Sequence, residues 1–477
     1  MSTSMNTNTQ NTSAESTRTH QPFLAQLAQW CCDLTLDAIP TEALDVAQTA
    51  MIDYFAVTIP GSDMPVSKNI QAFVGGRVTQ GPCRILGTEQ TASMAYAAYA
   101  NGVASHALDF DDVSWATIGH PTVTIAPAVM AAAESVMLNQ DLLGDEALLG
   151  DEALLAYVTA IEGQHKIARL LMPNLSEQGW HTTPVIGIFG AVIAAAKVLK
   201  VNAHTLSHAL AIAASMASGV RGNFGSQTKA LHAGMAAFNG INALELAQLG
   251  VTGRIDVLEN ADGFAACFTG LTLDAPSVAS MTEWDILTPG VVFKQYPCCS
   301  GSHPAIDCLT DAIEHHGIQA DNIERIDVGV SLLGPRELVC NAPTNAIEAK
   351  FSMQYALAAR LHYGQVGLSQ FTDQAVQDET IQDWIRRIHM EIDPELAKLG
   401  FIGTAPAKLA ITTKDGKTLH FANDLAKGNP EKPLSEQDIA HKFFQCVTPM
   451  LGETRTASLY ENLSQLRTTP ISTIIKH

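Results

Sequence analysis

From about residue 40 to about residue 285, apolar positions recur at the three- and four-residue spacing of amphipathic helices. Pro40 is followed by Leu44, Ala47, Met51, Tyr54 and Phe55 along one such face. Residues 91–108 and 123–138 are rich in alanine, which favours helix. Residues 185–200 and 204–219 are apolar nearly all round, the pattern of helices buried on every side. The stretch 229–250 continues the helical period. Its small residues Gly234, Ala236, Ala237, Gly240 and Ala243 permit close approach of a neighbouring helix.

The period changes beyond residue 290. Ile323–Leu332 (IERIDVGVSL) alternates as a strand does. Lys408–Ala422 holds two alternating runs around Asp415-Gly416, a pair favoured in tight hairpin turns. Helical patterns at 304–316, 350–362 and 376–390 surround these strands, and 435–465 is helical again. The pattern predicts a mostly α protein: a large all-α domain over 21–288 and a smaller α+β domain with an antiparallel sheet over 289–430. The helices near 435–465 are expected to return to the first domain, and the polar residues 1–20 read as a disordered tail. GDEALL occurs twice in tandem, at 144–149 and 150–155. A repeat this short predicts a lengthened loop or helix start and not a solenoid.

Composition narrows the function classes. The 477 residues are 47% hydrophobic and 16% charged, a globular balance, and Lys+Arg 28 against Asp+Glu 48 gives a net charge of −20. So acidic a chain is unsuited to sequence-independent binding of phosphate backbones, so nucleic acid is not an expected partner. The longest strongly apolar run, Val185–Ala196, is shorter than the ~20 residues of a membrane span, and no membrane partner is expected. Residues 1–20 lack the basic start and apolar centre of a signal peptide. Nine cysteines include two adjacent pairs, Cys31–Cys32 and Cys298–Cys299, and no CxxC pair, which fits a reduced, cytoplasmic protein.

Four clusters carry candidate chemistry. The first is His106-Ala-Leu-Asp109-Phe-Asp111-Asp112 with His120-Pro121 beyond it. Its carboxylates repel one another, as a wet helix end tolerates. Two nearby imidazoles point instead to a proton-transfer site. Asp109 orienting His120 is the expected acid/base unit, with Gly119 and Pro121 folding the intervening loop back. The second is Gly179-Trp-His181-Thr182-Thr183-Pro184, where a helix start with Thr and His groups suits a substrate carboxylate as well as a plain cap. The third, Asn223 to Gly234, leads a Gly-rich polar loop into a helix bearing Thr228, Lys229 and His232. A partly buried Lys229 must find an anion or lose its proton. The fourth runs from Phe293-Lys294 through Cys298-Cys299 to His303-Pro304. Its spacing matches no standard zinc set, so no metal is expected, and His303 is expected to reach the cleft between domains.

Together these segments resemble the MmgE/PrpD family. HALDFDD, GHPT, GWHTT, TKALHAG, FKQYP and Glu348-Ala-Lys-Phe351-Ser352 occur in the family's order, and the likeness spans about residues 21–465. The resemblance implies a helical domain plus a smaller α+β domain, a homodimer, no cofactor and no required metal. It implies a lyase, of dehydratase or decarboxylase type, acting on a small di- or tricarboxylate by proton transfer beside a carboxylate. The family also includes epimerases of small dicarboxylates such as iminodisuccinate, so epimerisation by the same proton abstraction stays open. Asp109, His120, His181 and Lys229 fall on pocket positions of decarboxylase-type relatives. Val113 stands where that pattern has Thr, and Cys299 where it has His, with His303 retained. The expected catalytic residues are Asp109, His120, Lys229 and His303, and the expected substrate-binding residues are His181, Thr182, Thr228 and His232. Two readings from other classes are a Mg²⁺-dependent isoprenoid synthase, suggested by DFDD but lacking a second acidic motif, and a non-catalytic binding protein.

Overall fold

Helix α1 (Phe23–Asp33), α2 (Thr41–Gly61), α3 (Pro65–Gly75), α4 (Met94–His106), α5 (Thr122–Leu138), α6 (Gly150–Leu171), α7 (Thr182–Val198), α8 (Ala203–Met216) and α9 (Thr228–Gln248) form the first core. The computed structural model describes residues 21–77, 81–138, 149–274, 276–400 and 404–475. The expected tail 1–20 and residues 144–148 of the first GDEALL copy lie outside them. The second copy opens α6.

Helix α7 is the centre of this bundle. It packs against α5, α6 and α9, and its residues from Thr182 to Ala196 are all buried. That is why its sequence shows no polar stripe. Helices α4 and α9 cross at glycines: a Cβ on Gly102 would lie 2.8 Å from the Cα of Gly234. The small-residue stripe of α9 thus brings the ends of α4 and α9, with their functional side chains, close together. Among the described residues no helix is long and apolar enough to cross a membrane.

The second core contains α10 (His303–Glu314), α11 (Met353–Tyr363), α12 (Glu379–Arg387) and a sheet of β1 (Ile323–Val330), β2 (Ile388–Ile392), β3 (Ala407–Thr413) and β4 (Thr418–Asn423). Strand order is β2-β1-β3-β4. The alternation is visible in burial: Ile326, Val328 and Val330 of β1 and Leu409 and Ile411 of β3 face the helices. The hairpin β3–β4 turns at Gly416, with φ 82°. The sheet is antiparallel across β1, β3 and β4, as expected, but β2 joins β1 in parallel, with Ile326 opposite Ile388. The helical pattern over 376–390 therefore stops at Arg387. The strand after it is five residues long and carries one buried side chain, Ile388, so its period is too short to read.

Helices α13 (Glu436–Leu451) and α14 (Glu453–Ser464) lie against α2, and Ile439, Phe443, Val447, Leu459 and Leu463 complete the first core. A short antiparallel pair, Val113–Ser114 with Val291–Val292, ties the acidic loop after α4 to the start of the second domain.

Candidate active site

Helix α4 ends on His106, and the acidic run follows at once. The chain leaves through Asp109 in a left-handed conformation (φ 52°) and delivers its three carboxylates to three different sets of partners. The Val113–Ser114 strand then meets a tight loop closed by the Ser114–Gly119 bridge. Ile118 sits there at φ 47°, an uncommon conformation for a β-branched residue, held by a hydrogen bond from the Thr182 hydroxyl to its carbonyl (2.6 Å). The loop returns His120 to the acidic run, and the His120 N–H donates to Thr183 Oγ1 (3.0 Å).

The carboxylate that meets His120 is Asp111, not the expected Asp109. Asp111 Oδ2 lies 2.7 Å from His120 Nδ1 and 2.8 Å from His106 Nδ1. That oxygen is hydrogen-bonded to the His106 ring and in ion-pair contact with the His120 ring, and the two rings meet edge to face at 4.5 Å. With Nδ1 turned to Asp111, His120 keeps Nε2 for chemistry. Burial, with Lys229, Lys294 and His106 nearby, outweighs the pull of Asp111 and lowers His120 to about 4. Burial alone would raise Asp111, but the two imidazoles hold it well below the usual carboxylate range. At neutral pH the unit is a carboxylate bracketed by neutral imidazoles.

Asp109 is occupied elsewhere. It pairs with the Lys229 ammonium, and its Oδ2 is 3.2 Å from Lys294 Nζ. These two cations offset the burial penalty and hold its carboxyl far below the ordinary range. Lys229 also faces the rings of Phe351 (4.8 Å) and Phe224 (5.2 Å). Two ammoniums thus face the one Asp109 carboxylate at this end of the pocket. Asp112, the third carboxylate, turns into the core. It accepts from the Thr122 hydroxyl and backbone N–H, and that hydroxyl also meets Tyr157 at 2.5 Å. Burial, with Asp53 and Asp111 adding to it, raises Asp112 to about 8, so it is a neutral acid at pH 7.

Buried lysines hold the backbone of the acidic run. Lys350 donates to the carbonyls of Leu108 (2.6 Å) and Ala107 (3.3 Å). Lys294 donates to Asp109 O (2.8 Å), and Lys442 of α13 to Phe110 O (2.7 Å). Lys442 also pairs with Asp53 of α2 at 2.6 Å. Four consecutive carbonyls, 107 to 110, thus rest on three ammoniums from distant parts of the chain. Burial lowers Lys350 to about 8.

The pocket beside these groups lies between the domains. Asp109, His120, His181 and Lys229 line it from the first domain, and Lys294, Cys299, Ser300 and Glu337 from beyond the Val291–Val292 strand. A wider cleft near Cys31, Leu36 and Lys200 lacks convergent chemistry, because the Lys197 ammonium there is spent on the carbonyls of Cys31, Cys32 and Leu34.

Of the expected residues, Asp109, His120, His181 and Lys229 come together. His181 precedes α7 and shares a proton with His232, Nδ1 to Nδ1 at 3.0 Å. Burial, with Lys229 nearby, depresses His181 strongly, and burial takes His232 to about 4. His232 faces a separate small cavity with Pro184 and Met216. Thr182 is committed to the Ile118 carbonyl. Thr228 is half-buried at the start of α9, where its N–H meets Ser226 Oγ (3.3 Å), and it does not line the pocket. His303 does not reach the pocket either. It opens α10 with its Nε2 on the Cys298 carbonyl (3.2 Å) and its ring against Tyr296, so Cys299 and Ser300 face the cleft in its place.

Sequence reasoning assigned no role to Asp111, Lys294, Lys350 or Glu337. The first three stand inside quoted segments, and Lys350 between Ala349 and Phe351 is the visible signal. Glu337 lies in LLGPREL, which carries none. His106, Asp109 and His120 offer ligand atoms within 4.8 Å of one another. They do not suit a divalent cation, because both oxygens of Asp109 already face ammoniums that would repel it.

A pocket that sets two ammoniums beside an imidazole in contact with a carboxylate suits acid/base chemistry on a small anion, as a lyase performs it. The MmgE/PrpD N-terminal domain matches residues 25–274 and the MmgE/PrpD C-terminal domain residues 296–465, and the chain belongs to that family. It is 30% identical over 380 residues to human cis-aconitate decarboxylase, covering 78% of this chain and 76% of the relative. The mouse cis-aconitate decarboxylase is 31% identical over 382 residues, covering 78% and 75%. The Aspergillus terreus cis-aconitate decarboxylase is 26% identical over 478 residues, covering 95% of each. The protein is an enzyme of the lyase class.

Proposed function

We propose that this enzyme removes CO₂ from a small di- or tricarboxylate of the cis-aconitate kind. The observation that carries the reading is the Lys229–Asp109–Lys294 group beside the Asp111–His120 unit in one interdomain pocket. The likeness to cis-aconitate decarboxylases supports it. Lys229, Lys294 and His181 take the substrate carboxylates. In the reaction the C–COO⁻ bond breaks, CO₂ leaves, and the electron pair stays on the substrate, where the ammoniums stabilise the developing charge. His120, through Nε2, takes a proton from the carbon next to a retained carboxylate and returns it to the substrate's carbon skeleton, Asp111 stabilising the imidazolium between the two transfers, and the electron pair left by CO₂ takes one further proton from outside the substrate. The enzyme works without a cofactor, in the reduced cytoplasm and as a homodimer.

The test is a panel of cis-aconitate, citrate, 2-methylcitrate and iminodisuccinate in deuterated water. CO₂ release from a tricarboxylate supports the reading. A new alkene without CO₂ replaces it with dehydration. Exchange of the α-proton with neither product replaces it with epimerisation.

A further inference from the structure

We infer that Glu337 is a second proton-carrying group of this site, placed by the α+β domain to deliver the proton that ends each turnover. The inference rests on the decarboxylation reading above.

Glu337 closes the short turn of helix Gly334–Glu337 and lines the pocket with His120, Lys229 and Lys294. It is half-buried, and its Oε2 sits against Gly301, where a side chain's first carbon would lie 3.3 Å away. The Cys299 thiol, 3.9 Å from that oxygen, is its hydrogen-bond partner among the described residues. Asp109 is paired with two ammoniums and Asp111 Oδ2 with two imidazoles, whereas Glu337 has no ion pair within 4 Å among the described residues. Its carboxyl is therefore the uncommitted acidic group of the pocket. Burial raises it above the usual range, against the opposing pull of Lys229, Arg221 and Lys294. A substrate carrying several carboxylates raises it further on binding.

Decarboxylation consumes one proton at carbon in each cycle. His120 arrives neutral at pH 7 and so is fitted to accept a proton, not to supply one. The ammoniums of Lys229 and Lys294 are held by Asp109. In the step assigned to Glu337, the C–COO⁻ bond breaks and CO₂ leaves. The electron pair left on the substrate takes the carboxyl proton to form a C–H bond. Glu337, now a carboxylate, regains a proton from water before the next turnover.

The full chain and its Glu337→Gln and Glu337→Asp variants are assayed for CO₂ release across pH. Binding of the unreactive propane-1,2,3-tricarboxylate is measured by calorimetry. Glutamine keeps the shape and loses the transferable proton. The expected result is a fall in kcat of about 10²-fold for Glu337→Gln with probe affinity within about threefold of wild type. The wild-type loss of rate on the alkaline side should vanish in that variant, and Glu337→Asp should restore part of kcat. Unchanged kcat with an unchanged pH profile overturns the inference and leaves decarboxylation standing. Loss of probe binding with kcat intact also overturns it, making Glu337 a binding group. A wild-type enzyme that releases CO₂ from no panel member overturns the decarboxylation reading and this inference with it.

Discussion

The two walls of the pocket are built differently. On the helical side, Asp109 and Asp111 each meet two basic groups, and both threonines that open α7 are committed to the loop carrying His120. On the α+β side, Lys294 is bound to Asp109, but Cys299, Ser300 and Glu337 face the same space with few fixed partners. The first wall is preorganised: its charges are set before substrate arrives, which is what transition-state stabilisation requires. The second wall is under less constraint. We propose that the acid/base chemistry belongs to the first wall and substrate choice to the second.

The largest expected effect comes from the helical wall. Lys229→Ala removes a cation and leaves Asp109 facing Lys294 alone, so kcat/KM should fall about 10³-fold while circular dichroism stays unchanged. Activity near wild type would move the carboxylate site elsewhere.

Lys442→Met tests whether that wall is held from outside. It strips the Phe110 carbonyl of its donor and leaves Asp53 buried without its ion pair. Breaking such a pair costs about 3–5 kcal/mol, which thermal unfolding should register as a marked drop in Tm. An unchanged Tm would mean that the C-terminal helices contribute no anchor.

The pH dependence follows from the buried neutral imidazoles. His120 and His232 are both depressed to about 4, against about 6.5 in an unfolded chain. Below 6.5 the unfolded chain binds protons that the folded one refuses, so stability rises with pH between about 4 and 6.5. This contribution is complete above 6.5 and is lost as pH falls toward 4. Urea midpoints between pH 4.5 and 7.5 should rise with pH, and flat midpoints would mean that these histidines are solvated. The smallest effect is expected from metal removal: dialysis against a strong chelator should leave turnover within error, since Asp109 is already neutralised by lysines. Loss of activity restored by one metal would contradict that.

Much of this was legible in the chain. The bundle could be read because long helices repeat their period over four or more turns, as α7 and α9 do. The hairpin could be read because Asp415-Gly416 marks its turn. Strand β2 escaped because five residues with one buried side chain carry little pattern. The acidic run was recognisable as a site, but its partners were not. Residues 109 and 111 are both near His120 in sequence, and only the left-handed turn at Asp109 decides which carboxylate meets the imidazole. Lys350 and Lys442 reach that turn from more than 200 residues away, a contact that no local spacing encodes.

The account centres on Asp111, and not Asp109, as the group that orients His120. A double-mutant cycle on kcat tests it, using Asp111→Asn, His120→Gln and the pair, each checked for folding by circular dichroism. Residues acting as one unit give non-additive losses. Each single variant should lose about 10²–10⁴-fold, with the double scarcely worse than the poorer single, whereas Asp109→Asn combined with His120→Gln should multiply. Multiplicative losses for Asp111 and His120, with non-additive losses for Asp109 and His120, would contradict the account.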